Sequence, residues 1–186
     1  MKKLLFSLFS FALLCFSSQS FSQSNRIFMS VPGSQGFDGG VTVIGYEKSI
    51  EVFSYADGLQ ACAGQASMGT TSQRSGCKTS FSGFSVMIEL SPAVSGFQTA
   101  LLQGKVLNVN VAHTRIVDGR YNAFYEIHME NVTVVSVSEG ASAEAPNFSL
   151  QLQPEKIRWT VITQNPDGSK GTTYTAGWDF VKNVAF

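Results

Sequence analysis

Chemistry in this 186-residue chain would have to start from few residues, since His113 and His128 are the only histidines. Glu126, His128 and Glu130 follow one another at intervals of two, a spacing that puts all three on the same face of a β-strand. Carboxylate and imidazole groups in that stripe could hold a divalent metal. The competing reading, an exposed polar face of a half-buried strand, accounts for the same pattern without any ligand. The second histidine, His113, closes a run in which Leu107, Val109 and Val111 alternate with Asn108, Asn110 and Ala112, which predicts a hydrogen-bonded, half-buried imidazole. The carboxyls of Glu126 and Glu130 could do acid–base work, but no oxyanion donor set or activated nucleophile accompanies them, and solvated charge is the better account. No G-x-S-x-G elbow supplies a hydrolase serine. The glycine-rich string Gly33-Ser34-Gln35-Gly36-Phe37-Asp38-Gly39-Gly40 lacks a GK[ST] ending and a following helix, so it predicts a flexible loop and not a phosphate cradle. The expectation is therefore a protein without catalytic residues, cofactor site or metal site, one that is not an enzyme.

Charge points the same way. The chain opens on Met1-Lys2-Lys3, an apolar run from Leu4 to Phe16 and a small-residue stretch, Ser17-Ser18-Gln19-Ser20. This is the pattern of a secretory signal peptide spanning residues 1–22, with Ser20 and Ser22 placed for cleavage before Gln23. The run is short for a membrane span, which needs roughly 20 apolar residues, so no span is expected after cleavage, and the product is exported, periplasmic or secreted. Residues 23–186 then form a single domain, long enough to bury a sizeable core. Of 13 basic and 13 acidic residues, loss of Lys2 and Lys3 leaves 11 against 13, without a cluster of Lys or Arg. Nucleic acid, which demands a concentrated positive footprint, is not an expected partner.

Two cysteines remain after Cys15 leaves with the signal segment. Cys62 and Cys77 bracket a stretch from Ala63 to Gly76 that is rich in Gly, Ser, Thr and Gln and has no apolar periodicity. Export favours oxidation, and closing a loop of about 15 residues stabilises by roughly 3 kcal/mol on the chain-entropy model. A disulfide between Cys62 and Cys77 is the expectation. A metal pair or a catalytic thiol lacks support, because two thiols without neighbouring His or Asp make a poor zinc site.

What must position these residues is mostly strand. Period-2 alternation marks Ile27–Val31, Ile50–Tyr55 with a stop at Asp57-Gly58, Phe81–Leu90, Val106–Ile116, Tyr121–Val137, Phe148–Leu152 and Lys156–Thr163. Closing strands follow over Gly171–Ala176 and Trp178–Val181. Asp118-Gly119 predicts a hairpin turn between two of these strands. The change of phase between Met129 and Val132 predicts a β-bulge near Glu130-Asn131. Asn165-Pro166-Asp167-Gly168 is a turn signal, and Ser67–Ser75 and Ser136–Pro146 are expected as surface loops. One helix is predicted over Ser91–Gln103, capped by Ser91, with Pro92 in its first turn, Val94, Phe97 and Leu101 at helical spacing, and Gly104 as its stop. Gly96 within it sacrifices about 1 kcal/mol relative to Ala, so packing must carry this helix. Trp159, Trp178 and Phe97 are expected in the core. Eight or nine short strands around one helix make an antiparallel barrel or sandwich the natural architecture.

Several strings, in order, resemble the haemolysin-coregulated protein (Hcp) family of type VI secretion: Ile50-Glu51-Val52-Phe53-Ser54-Tyr55, the phrase from Glu126 to Gly140, Lys156-Ile157-Arg158-Trp159, and Thr175-Ala176-Gly177-Trp178-Asp179. The helix between Ser91 and Gln103 sits where that family places its own. The likeness runs from about Arg26 to Asn183. It implies a mainly β fold, an antiparallel β-barrel of two sheets flanked by one short α-helix. It also implies a subunit that packs into homo-hexameric rings, stacks them into a tube and serves as conduit or chaperone for secreted effector proteins. A monomeric, exported binding module on the same barrel is the alternative.

Overall fold

A computed structural model describes residues 25–60, 80–141, 146–165 and 169–186. The expected signal segment, the Cys62–Cys77 pair, the Ser67–Ser75 loop and the Pro166-Asp167-Gly168 part of the expected turn lie outside the described residues. Flanking that turn, the Asn165 amide donates to the Ser169 carbonyl at 3.0 Å.

Nine described strands and one helix follow in the order β1 (Arg26–Ser30), β2 (Ile50–Gln60), β3 (Ser80–Glu89), α1 (Ala93–Gln103), β4 (Val106–Val117), β5 (Arg120–Ala141), β6 (Pro146–Gln153), β7 (Lys156–Gln164), β8 (Lys170–Asp179) and β9 (Val184–Ala185). The strands form one antiparallel sheet in the order β4-β1-β2-β3-β6-β5-β7-β8-β9, and an additional β4–β5 pairing closes it. Six strands thus make a barrel, β4-β1-β2-β3-β6-β5, while β7, β8 and β9 continue from β5 as a wing. The two expected sheets are opposite walls of this one closed sheet.

Strand β5 joins barrel and wing. One of its edges carries β4 from Arg120 to Thr133, and the other carries β7 over Tyr125–Glu130 and then β6 over Thr133–Ala141. The predicted bulge is present: Leu107 faces Val132 and Val109 faces Met129, which leaves Glu130 and Asn131 opposite Asn108 alone. Asn131 adopts φ 52° there, a conformation that Asn tolerates better than most residues. Its amide donates to Asn108 Oδ1 at 3.2 Å, and its Nδ2 donates to Glu155 Oε2 at 2.7 Å. The β4–β5 hairpin turns at Asp118 and Gly119, both with positive φ (51° and 72°), the signature of a type I′ turn.

Alternation fills the barrel. Met29, Ile50, Val52, Val86, Ile88, Val109, Val111, Ile127, Met129, Leu150, Leu152 and Ile157 form one buried cluster with Phe84 and Phe97. The helix closes over it through Ala93, Val94, Phe97 and Ala100 and ends at Gly104 with φ 61°. Gly96 earns its place by close approach: a Cβ on it would stand 2.3 Å from the Gly36 carbonyl oxygen. The loop from 31 to 49 therefore lies against the helix, with Phe37 packed edge-on to Phe97 at 5.0 Å.

Five expectations need correction. Ser91 does not cap the helix: Pro92 occupies the N-cap without a side-chain cap, and the Ser91 hydroxyl is buried without a hydrogen-bond partner. Its carbonyl instead accepts from the Val94 amide at 3.1 Å. The glycine-rich segment is docked, because Phe37 is buried in the core. Strand β2 runs past Asp57-Gly58 to Gln60, since Gly58 lets Ser82 approach and donate to its carbonyl at 3.1 Å. Ser136–Ala141 belongs to β5, held by backbone pairing to β6 with Val137 packed against the core. The chain turns at Phe180–Asn183, where Asn183 has φ 56°, before the short β9.

Candidate functional site

The Glu126/His128/Glu130 stripe lies on the outer face of β5, as its alternation requires. His128 Nδ1 donates to Asn110 Oδ1 at 3.0 Å, and its Nε2 lies 3.7 Å from Glu126 Oε2. Glu130 is drawn the other way, to Lys156 Nζ at 3.3 Å. Across the sheet His128 faces Arg158, whose guanidinium carbon lies 5.1 Å from the Phe186 ring centroid. The stripe is thus a half-exposed face of alternating charge in which each carboxylate already has a cationic or imidazole neighbour. Among the described residues no cluster of three His, Cys, Asp or Glu side chains is placed to hold a metal.

His113 points to the other side of the sheet. The expected hydrogen bond is not made: Nε2 is buried and has no partner among the described residues. Aromatic rings surround it instead, with Tyr55 edge-on at 5.1 Å, Phe124 at 5.8 Å and Tyr125 at 6.0 Å. The alternation that placed His113 beside the core holds, but the groups opposite it offer ring faces and edges. Burial pushes its imidazolium below the usual histidine range. Burial also pushes the Tyr55 phenol up to about 12, helped by Tyr125 and Asp57.

Phe97 is fully buried, and Trp159 packs half-buried against the core. Trp178 lies at the core's margin with its Nε1 buried and unpaired. A second aromatic group was not legible in the alternation. Phe28 faces outward, opposite Ile27 and Met29, yet is only 2% exposed. Tyr46 from the 31–49 loop stacks on it at 4.6 Å and Tyr121 packs edge-on at 5.7 Å. A phenylalanine out of phase with its strand was the available signal.

Interaction surface, by contrast, is plentiful. Strand β8 pairs with β9 only at Trp178 and Asp179, and Gly177 receives the Phe186 amide. From Lys170 to Ala176 its outer edge has no described strand beside it. Such an edge is a template for pairing. Tyr174 on this strand is 61% exposed and sits directly across from Val161, 45% exposed. Val181, Val184 and Phe186 extend the apolar surface around the same wing. A further exposed pair, Phe53 and Met87, marks the outer barrel wall beside the bulge between Val52 and Ser54. An open groove of about 350 Å³ near the β4–β5 turn is lined by Arg115, Asp118, Glu126 and Lys170 among others. Its mixed charges do not converge on any one ligand chemistry. No described helix is long and apolar enough to cross a membrane.

A closed antiparallel barrel with one flanking helix, a strand wing and exposed apolar edges defines a β-barrel protein built to present surface. A model of the family described as "Type VI secretion system effector, Hcp" matches residues 28–161, and the chain belongs to that family. Solved structures agree on the fold. Hcp1 from Salmonella typhimurium aligns with a TM-score of 0.69 at 20% identity, over 88% of this chain and 99% of that one. A structure described as a type six secretion system protein aligns at 0.75 and 18% identity, over 88% and 100%. The secreted protein Hcp3 from Pseudomonas aeruginosa aligns at 0.58 and 15% identity, over 84% and 99%. No curated protein sequence matches significantly.

Proposed function

We propose that the mature chain is a non-enzymatic, self-assembling subunit that closes into homo-hexameric rings and carries or chaperones secreted effector proteins. The observation that carries this reading is the open β8 edge with its exposed Tyr174–Val161 pair. An edge of this kind presents unpaired backbone groups and apolar area together, and a second copy can cover both. Different patches on one subunit, such as this wing and the Phe53–Met87 wall, suit the head-to-tail contacts that close a ring. Family membership supplies the ring as the expected outcome. The reading includes export through the segment 1–22 and a Cys62–Cys77 disulfide in the product.

Sedimentation and negative-stain microscopy of the oxidised chain from Gln23 onward test this directly. Rings of about six subunits are expected, and Tyr174→Lys combined with Val161→Lys should return monomers whose circular dichroism is unchanged. A monomer at every concentration and salt tried would overturn the assembly reading and favour a binding module on the same barrel.

A further inference from the structure

His113 is a half-buried ionisable group whose Nε2 is fully buried. It stands on β4 at the inside of the barrel, between the Tyr55 ring of β2 and the Phe124 and Tyr125 rings of β5. These contacts bridge two walls: β4 and β5 are hydrogen-bonded to each other, whereas β2 is joined to β4 only through β1. Tyr55 in turn stacks on Phe84 of β3 at 4.8 Å. Neutral, the ring fits this environment, since a bare nitrogen facing aromatic groups leaves one weak acceptor unmet. Charged, the buried Nε2 becomes an N–H donor with no acceptor among the described residues, and a desolvated donor left without a partner is disfavoured.

We propose that His113 is a proton-sensitive latch, neutral when β2 is held against the β4–β5 wall and, once charged, releasing that contact. The surrounding charges set the balance. On its own strand Arg115 already lies 5.2 Å from the centroid of the Phe124 ring, so a second cation would share that ring with a like charge. On β2, Asp57 acts on the Tyr55 and Tyr125 phenols. Tyr55 and Tyr125 themselves stay neutral across the acid range. On β1 the residue opposite is apolar Ile27, and Arg26 is turned away toward Glu51. On β5 Glu126 faces outward to His128, and on β7 the neighbour of Tyr125 is Val161. A cation–π gain from the rings opposes the release, but burial dominates and holds the imidazolium below the ordinary 6.5. A group shifted in this direction lends stability above pH 6.5 and withdraws it as the pH falls.

Hydrogen–deuterium exchange, corrected for intrinsic rates, on the chain as purified at pH 8 and pH 5 reads the latch. Amides of residues 54–57 and 112–125 should lose protection at least tenfold at pH 5, while Leu150 and Leu152 hold theirs. His113→Phe, which keeps a ring in the cage, should be insensitive to pH in these segments, and His128→Gln should behave as the wild type. Equal loss in His113→Phe, or no loss in the wild type, overturns the proposal. If His113→Phe does not fold, an NMR titration of the wild-type His113 ring decides: a midpoint below 6.5 supports the latch, and one at or above 6.5 removes it.

Discussion

Replacing Gly96 by alanine sets two effects of known size against each other. In an isolated helix the change would stabilise by about 1 kcal/mol. Here the new methyl group would stand 2.3 Å from the Gly36 carbonyl oxygen, 3.1 Å from its carbon and 3.2 Å from Phe37 Cδ1. Restoring ordinary contact at 3.4 Å requires the backbone of the 31–49 loop to retreat by about 1 Å, and backbone cannot rotate away as a flexible side chain can. Retreat pulls Phe37 from its site against Phe97. Full exposure of a phenylalanine costs about 1.5–3 kcal/mol, and the edge-on ring pair adds about 0.5–1.5 kcal/mol. The clash outweighs the helix gain, and Gly96→Ala should destabilise by about 1–3 kcal/mol. With a urea m-value of about 2 kcal/mol/M, the unfolding midpoint should drop by about 0.5–1.5 M at unchanged m. Gln98→Ala, on the exposed side of α1, should leave the midpoint level or raise it. A Gly96→Ala midpoint equal to or above wild type would refute the claim that close approach, not chance, keeps glycine in this helix.

Tyr46→Ala should uncover Phe28 and cost about 1–3 kcal/mol in the same assay, whereas Tyr46→Phe, which keeps the ring stacked, should cost far less. Asn131→Val should destabilise by about 1–2 kcal/mol, because a β-branched residue resists the left-handed conformation of the bulge; Asn131→Gly should be milder and lose only the side-chain bond to Glu155. Lys156→Ala should change stability by less than about 1 kcal/mol, since its bond to Glu130 is solvent-exposed, and raised salt should not widen the difference. In alkaline absorbance titration Tyr55 should ionise at about 12, later than an ordinary phenol near 10. A raised phenol value means that its contribution to stability is complete below pH 10 and is lost as the pH climbs through 12.

Much of the fold was visible in the residues because side-chain alternation reports directly on burial. Leu107, Val109 and Val111 face the core, and the change of phase at Met129–Val132 marked the bulge that Asn131 now occupies. Turn chemistry was equally direct at Asp118-Gly119. What escaped was set by backbone pairing and by distant contacts. Ser136–Ala141 is strand because β6 lies beside it, and no pattern in that serine-rich run announces a neighbour. Gly58 resembled a turn signal but serves the approach of Ser82, some two dozen residues away. The helix cap failed for a related reason: Ser91 had the right side chain, and its hydroxyl went into the packed junction instead of to the helix end. The stripe around His128 was read from strand spacing alone and faces solvent as that spacing required. The partnerless Nε2 of His113 depends on Tyr55, far away in the chain, so only three-dimensional placement shows it.

Closure of the barrel bears on how the chain comes to be folded at all. Strand β1 reaches its partner β4 across a sequence separation of 88 residues, measured by the bond from Thr114 Oγ1 to the Arg26 carbonyl. Pairings of such high contact order form slowly, because the intervening chain must be ordered before they give any return. The β1–β2 pairing can form early, whereas the β1–β4 seam that closes the barrel is among the last to zip. Until β4 arrives, β1 can pair with β2 but keeps its other edge open, and any factor that binds nascent chains has its opening there.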